Sequence, residues 1–299
     1  MSALGLAPET AAPPRLTVLR PQRRWIPIEL AELWRYRELL WLLARRDVSV
    51  RYKQTLLGAS WAVIQPLTTM VVFSVLFGLL LGREGKPTVA GVPYALSTYC
   101  ALVPWNFFAS GLTQAGNSLV QNRNLVTRVY FPRLIAPMAP LIAALVDFAI
   151  AFAVLLGMIA VYHGATDYAF HLSWALLALP LFTAMVAATA LAAGLWLSAM
   201  NAVYRDVRHA MPFLIQLWMY LSPVVYTAES VIGKLPEWAR PIYALNPLVG
   251  VVEGFRWALL GGPAPSPTIL FGSAVLVLAL LVSGLFYFRR MEQIFADVI

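Results

Sequence analysis

The sequence predicts an all-α integral membrane protein with six transmembrane helices. An N-terminal amphipathic interface helix precedes them, and two short re-entrant exoplasmic helices come before the last span. Three observations lead there. Hydrophobic residues fill 60% of the 299 positions and charged ones only 12%, against roughly 25% charged in soluble domains, and mean hydropathy is +0.72. Charge is also lost in long blocks: Gln54 to Gly82 is 29 consecutive residues without Asp, Glu, Lys or Arg. Finally, Lys and Arg gather on one side of the topology that these blocks define. The apolar runs are too long and uniform for alternating barrel strands, whereas a helix satisfies its own backbone in lipid.

The elements follow in chain order. Residues 1–28 contain Pro8, Pro13, Pro14, Pro21 and Pro27 and no apolar core, so they read as a flexible cytoplasmic arm rather than a signal peptide. Residues 29–53 form the amphipathic interface helix. Glu32, Arg35, Glu38, Arg45 and Arg46 lie on a polar arc and Trp34 and Trp41 on the apolar side, with Arg37 and Leu42 breaking the pattern. A helix of a small cytoplasmic subdomain is the alternative. Residues 54–299 form the transmembrane domain, with spans at about 57–81, 94–114, 134–162, 173–199, 212–227 and 268–288. The region 228–262 is too apolar for a solvated loop, yet it carries Glu253 and Arg256 three residues apart. Two re-entrant helices, with these charges facing each other on one of them, account for it. A seventh span would bury both charges and upset the sidedness count.

That count gives the orientation. Residues 1–56 carry ten Lys and Arg, the 115–133 loop three, the 200–211 loop two and the C-terminal tail two. The opposite loops hold five: Arg83, Lys86, Lys234, Arg240 and Arg256. Both termini are therefore expected in the cytoplasm. The net charge of +8 follows this topology, so it gives no reason to expect a nucleic-acid partner.

Catalytic motifs are missing. No phosphate-binding G-x-x-x-x-G-K-[ST] loop occurs, and "GREGK" at 82–86 has the wrong spacing. Any ATP that is used must be bound by another chain. A single cysteine, Cys100, excludes an intrachain disulfide, and the scattered His163, His171 and His209 make no metal site. Asp147, in the third span, must be paired or protonated at that depth. A proton relay needs more than one ionisable group, so a hydrogen-bonded packing role is favoured. Small residues from Ala184 to Ala199 mark close helix packing. Aromatics including Phe73, Phe77, Trp105, Tyr220 and Tyr226 either stack on sugar faces in a conduit or pack the core. The basic loop Asn117 to Arg133 reads equally as a docking helix or as a positive-inside connector.

Taken together, several stretches resemble one family. "RRDVSVRYKQTLLGASWAVIQP" (45–66), "VPWNFF" (103–108), "NSLVQNRNLVTRVYFPRLIAP" (117–137), "YRDV" (204–207), "LSPVVY" (221–226) and "NPLVGVVEGFRWALLG" (246–261) look like the permease subunits of ABC-2-type polysaccharide exporters, near the O-antigen and teichoic-acid transporters.

The resemblance implies a homodimeric half-transporter in the bacterial inner membrane. Two copies of a nucleotide-binding subunit, which carry the ATP and Mg, would serve it, and this chain would need no cofactor of its own. It implies that Asn122, Asn124, Leu125, Arg128, Tyr130, Phe131 and Arg133 contact that ATPase, with Tyr204, Arg205 and Asp206 as a shorter second contact. It places Asn246, Pro247 and Arg256 in an exoplasmic gate. The implied cargo is a polyprenyl-linked glycan, whose anionic head Arg46, Arg51 and Lys53 would attract. Rival readings are an ABC-2 permease for a smaller amphiphile, a membrane-embedded glycosyltransferase, and a proton-coupled transporter. Only Asp47 and Asp206 could serve a transferase as interfacial carboxylates, and the sequence has no inverted repeat of the kind secondary transporters show.

Overall fold

The computed structural model describes residues 30–53, 58–79, 92–165 and 173–295. The arm at 1–28, the stretch 80–91 with Arg83 and Lys86, and 166–172 with His171 lie outside the described residues. Among those described, every regular element is helical and none is a strand.

The chain enters through α1 (Leu30–Arg35) and α2 (Arg37–Tyr52), two helices joined at Tyr36. Leu33, Tyr36, Leu39, Leu40, Leu43 and Ala44 form the stripe that packs on the protein, at the three-to-four spacing of an amphipathic helix. Trp34 is 72% exposed, and Trp41, Leu42 and Val50 are exposed with it. The tryptophans thus lie on the side of the helix turned away from the protein.

The first apolar run becomes α3 (Trp61–Phe73), which continues as a π-helical turn over Ser74–Leu79. The axis of the fold is α4 (Tyr94–Gln121), seven residues longer than the expected 94–114. It is apolar nearly all round and so is buried nearly all round. Around it pack α3, α6 (Ile135–Ala165), α7 (Leu179–Val203), α8 (Val207–Tyr220) and α11 (Pro247–Leu260). The small residues of the fourth run explain how α4 and α7 come so close. A Cβ added at Gly194 would sit 2.7 Å from the Ala115 Cβ, closer than two carbon atoms can approach.

Ile135–Gly164, Trp174–Val203 and Pro267–Glu292 are long and apolar enough to cross a membrane. On α12 (Pro267–Glu292) the exposed Phe271, Val275, Leu278, Val282 and Phe286 recur every three or four residues. They make one greasy face, as a lipid solvent requires.

The sequence placed the fifth span at 212–227, but α8 begins at Val207 and ends at Tyr220. Residues 221–226 turn instead, because Pro223 lacks a backbone N–H and disfavours helix at the residue before it. Downstream come α9 (Ala228–Ile232), α10 (Ala239–Leu245) and α11. At 1.5 Å per residue the 14-residue α11 is about 21 Å long, short of the ~30 Å hydrocarbon core. A break at Asn246 separates it from α10, so the two do not form one continuous span.

Candidate functional site

The basic 117–133 segment folds back against the interface helix. It holds the short helix α5 (Arg123–Arg128) between the end of α4 and an extended run into α6. The Arg46 guanidinium donates to Asn122 Oδ1 at 2.8 Å and to Asp47 Oδ1 at 2.8 Å. Asn122 is oriented by its own Nδ2, which donates to the Ser118 carbonyl at 2.9 Å. Tyr130 donates its hydroxyl to Glu32 Oε1 at 3.4 Å, and the nearby carboxylate raises the Tyr130 phenol above its ordinary pKa. Arg133 donates to the Glu292 carbonyl at the end of α12.

An apolar cluster beneath these bonds joins four parts of the chain. Leu43 and Ala44 of α2, Val126 and Phe131 of the loop, Leu195 and Ala199 of α7, and Phe288 and Phe295 all share it. Leu119 of α4 and Ile135 of α6 belong to the same cluster, so the loop packs, through apolar side chains, against α2 and four long helices.

The residues expected to meet an ATPase divide by exposure. Asn124, Arg128, Tyr204, Arg205 and Asp206 are exposed, as is Tyr130 at 76%. Leu125 and Arg133 are half-buried. Asn122 and Phe131 face inward, one holding Arg46 and the other filling the apolar cluster.

The three cations expected at the lipid head also differ. Lys53 is exposed and Arg46 shares Asp47. Arg51 forms an ion pair with Asp147 of α6 and donates to Gln114 Oε1 of α4. Tyr52 adds its hydroxyl to Asp147. This carboxylate is therefore paired with a cation from the interface helix and packs against it. The network lies on the wall of a half-open cavity of about 460 Å³ lined by α2, α3, α4 and α6.

On the opposite side, α11 ties down the LSPVVY turn. Arg256, 2% exposed, donates to the carbonyls of Val224 and Tyr226 at 3.0 and 2.9 Å and to Glu253 Oε1 at 3.0 Å. Glu253 also accepts from the Ala228 N–H at 2.8 Å. Asn246 caps α11 by accepting from Leu248 N at 3.1 Å; it also accepts from Trp218 Nε1 at 3.0 Å and donates to the Leu221 carbonyl. Pro247 occupies the first turn of α11 and is buried.

The aromatic candidates also separate. Trp105 is buried and packs on Phe108 with ring centroids 5.4 Å apart. Phe73 and Phe77 are half-buried neighbours at 6.0 Å. Tyr220 is exposed, and its carbonyl accepts the half-buried Tyr226 hydroxyl at 3.0 Å.

Sequence reasoning put Glu32 on the polar arc without its Tyr130 partner, and it passed over Tyr94 and Phe295. Tyr94 donates to the Val225 carbonyl at 3.0 Å, joining the start of α4 to the turn. No local pattern marks the Glu32–Tyr130 and Tyr94–Val225 contacts, whose partners lie 98 and 131 positions apart along the chain.

Comparison with known proteins is consistent along most of the chain. The model of a family described as ABC-2 type transporter matches residues 38–260. The O-antigen export system permease protein RfbA of Myxococcus xanthus is 26% identical over 264 residues, covering 87% of this chain and 96% of that protein. Its namesake from Klebsiella pneumoniae is also 26% identical, over 88% and 95%. The polysialic acid transport protein KpsM of Escherichia coli is 23% identical over 249 residues, covering 83% and 91%.

Proposed function

This chain belongs to the ABC-2 type transporter family, and from that premise we propose that it is the membrane permease of an ATP-driven polysaccharide exporter. The observation that carries the reading is the near end-to-end match to permeases named for O-antigen export and polysialic acid transport. The cargo is a lipid-linked glycan, taken from the cytoplasmic face of a bacterial inner membrane. Two copies of this chain form the conduit, and a separate nucleotide-binding subunit, also in two copies, holds the ATP and Mg.

Six spans fit this reading: α3 with its π-helical turn, α4, α6, α7, α8 with the turn after it, and α12. Both termini are cytoplasmic, and α10 and α11 dip back from the exoplasmic side. The ATPase docks on Asn124, Leu125, Arg128 and Tyr130, with Tyr204, Arg205 and Asp206 as the second contact. Its closing stroke passes through the apolar cluster around Phe131 and the Arg46–Asn122 bond, because only packed, rigid elements transmit such a stroke. Lys53 and the half-free Arg46 meet the anionic head of the lipid carrier. The Glu253–Arg256 pair holds the exoplasmic turn, so that closure moves it as one piece.

The test is co-purification of this chain with a nucleotide-binding subunit encoded beside it, followed by reconstitution in vesicles. ATP-dependent export of lipid-linked polysaccharide supports the reading. Export of a small amphiphile without the glycan replaces the cargo, and failure to recover any ATPase partner rejects the whole.

A further inference from the structure

The cavity among α2, α3, α4 and α6 has a lining that the transport scheme does not explain. We propose that it binds one neutral sugar ring, the glycan unit next to the lipid carrier, an inference that rests on the permease reading above. Four observations carry it.

The first is size and position. At about 460 Å³ the space falls within the range of small-molecule pockets. It adjoins the end of α2, where Lys53 would hold the carrier's head.

The second is a polar stripe. Asn106, Ser110 and Gln114 line the cavity from α4, and their four-residue spacing puts them on one helix face. Gln114 Nε2 donates to Ser110 Oγ at 2.6 Å, which leaves the Ser110 hydroxyl proton available to a ligand. The Asn106 Nδ2 is buried and has no hydrogen-bond partner among the described residues. That closed-off donor is costly, and a half-turn of the Asn106 amide toward the cavity it lines would let a ligand hydroxyl satisfy it.

The third is an apolar platform. Trp61, 53% exposed, and the half-buried Phe148 line the cavity from α3 and α6. Sugar rings offer C–H faces to aromatics and hydroxyl edges to amides, and this lining presents both.

The fourth is charge balance. Arg51 is paired with Asp147 and Gln114, so the wall is neutral overall. A phosphate would have to displace Asp147 from Arg51, whereas a neutral polyol can hydrogen-bond to the pair as it stands.

The experiment uses the full chain in lipid nanodiscs with tritiated octyl β-D-glucopyranoside below its micellar concentration. Octyl phosphate, octanol and empty nanodiscs serve as controls. The expected result is at least tenfold preference for the glucoside over octyl phosphate and octanol. Asn106→Leu and Trp61→Ala should each weaken it fivefold or more. Ser110→Ala removes the hydroxyl at the middle of the stripe without adding a charge, and it should also weaken binding while the thermal midpoint hardly moves. Equal or tighter binding of octyl phosphate, equal retention of octanol, or indifference to these substitutions overturns the proposal. A complex that exports polysaccharide but retains no glucoside rejects this site and leaves the permease reading standing. Absence of an ATPase complex rejects the permease reading itself.

Discussion

Arg46 on α2 and Asn122 at the head of α5 are joined by a 2.8 Å hydrogen bond across 76 positions of sequence. The bond ties α2 to the 117–133 segment at a point where both enter the apolar cluster around Phe131. Movement of one is thereby movement of the other.

Breaking that bond should uncouple the machine. Arg46→Ala and Asn122→Ala are each expected to lower export per ATP hydrolysed by fivefold or more, while the complex continues to hydrolyse ATP. Because they remove the same contact, the double variant should be no worse than either single one, with a coupling energy of about 0.5–3 kcal/mol. Strictly additive losses in a double-mutant cycle would show that the two residues act separately.

Asp147 joins two helices. Its partners are Arg51 and Tyr52, so it serves as a latch between α2 and α6. Asp147→Asn leaves Arg51 without its counter-ion and should destabilise the protein by about 2 kcal/mol, below the 3–5 kcal/mol of fully buried pairs because both side chains are partly accessible. Removing both charges together, as Arg51→Gln with Asp147→Asn, should recover most of the thermal midpoint. Export by every variant should survive collapse of the proton gradient. Loss of export on adding a protonophore to ATP-supplied vesicles would favour the relay instead.

Glu253 and Arg256 make a more deeply buried pair, at 8% and 2% exposure. Glu253→Ala strands a guanidinium and frees the Ala228 N–H, so a loss of about 3–5 kcal/mol is expected. Arg256→Lys should cost nearly as much, since one ammonium cannot reach the Val224 and Tyr226 carbonyls as the planar fork does. Thermal unfolding in detergent reads both. A midpoint for either variant within 2 °C of the parent would mean the turn is held by other contacts.

Helix packing makes its own demand at Gly194. Gly194→Ala forces α7 away from Ala115 and should destabilise by about 1–3 kcal/mol. Ala115→Gly in the same chain restores the space and should return part of the loss. The restoration is the informative measurement, because glycine itself costs roughly 0.8–1.0 kcal/mol in a helix interior.

Much of this was legible in the sequence because lipid imposes long, uncharged runs. The Glu253–Arg256 pairing could be read from a spacing of three on one helix face. The cost of an unpaired carboxylate left Asp147 paired or protonated, and only the structure supplies Arg51 as its partner. Arg51 looks like one more flanking cation until α2 is packed on α6. Phe131 and Asn122 show the same limit in the 117–133 segment. Their residue types suit a docking surface, yet tertiary packing turns them inward and leaves Arg128 and Tyr130 outside. The end of α8 was misplaced because hydrophobicity continues through 221–226 after Pro223 has ended the helix.

Inward-facing and outward-facing residues of the 117–133 segment should respond differently to substitution. Phe131→Ala removes a buried aromatic ring and should cost about 3–5 kcal/mol of stability, with ATPase recovery falling only in proportion to folded protein. Arg128→Glu and Tyr130→Ala change exposed side chains, so the thermal midpoint should hardly move. Their effect should appear as a drop of tenfold or more in the ATPase that co-purifies, because a charge reversed against a docked partner costs several kcal/mol. Arg205→Glu should act the same way, more weakly, at the shorter contact. Two measurements on each variant, unfolding midpoint and ATPase stoichiometry, therefore separate the residues that build the 117–133 segment from those that would meet a partner. If Arg128→Glu and Tyr130→Ala both retain full ATPase, the docking surface lies elsewhere on the cytoplasmic face.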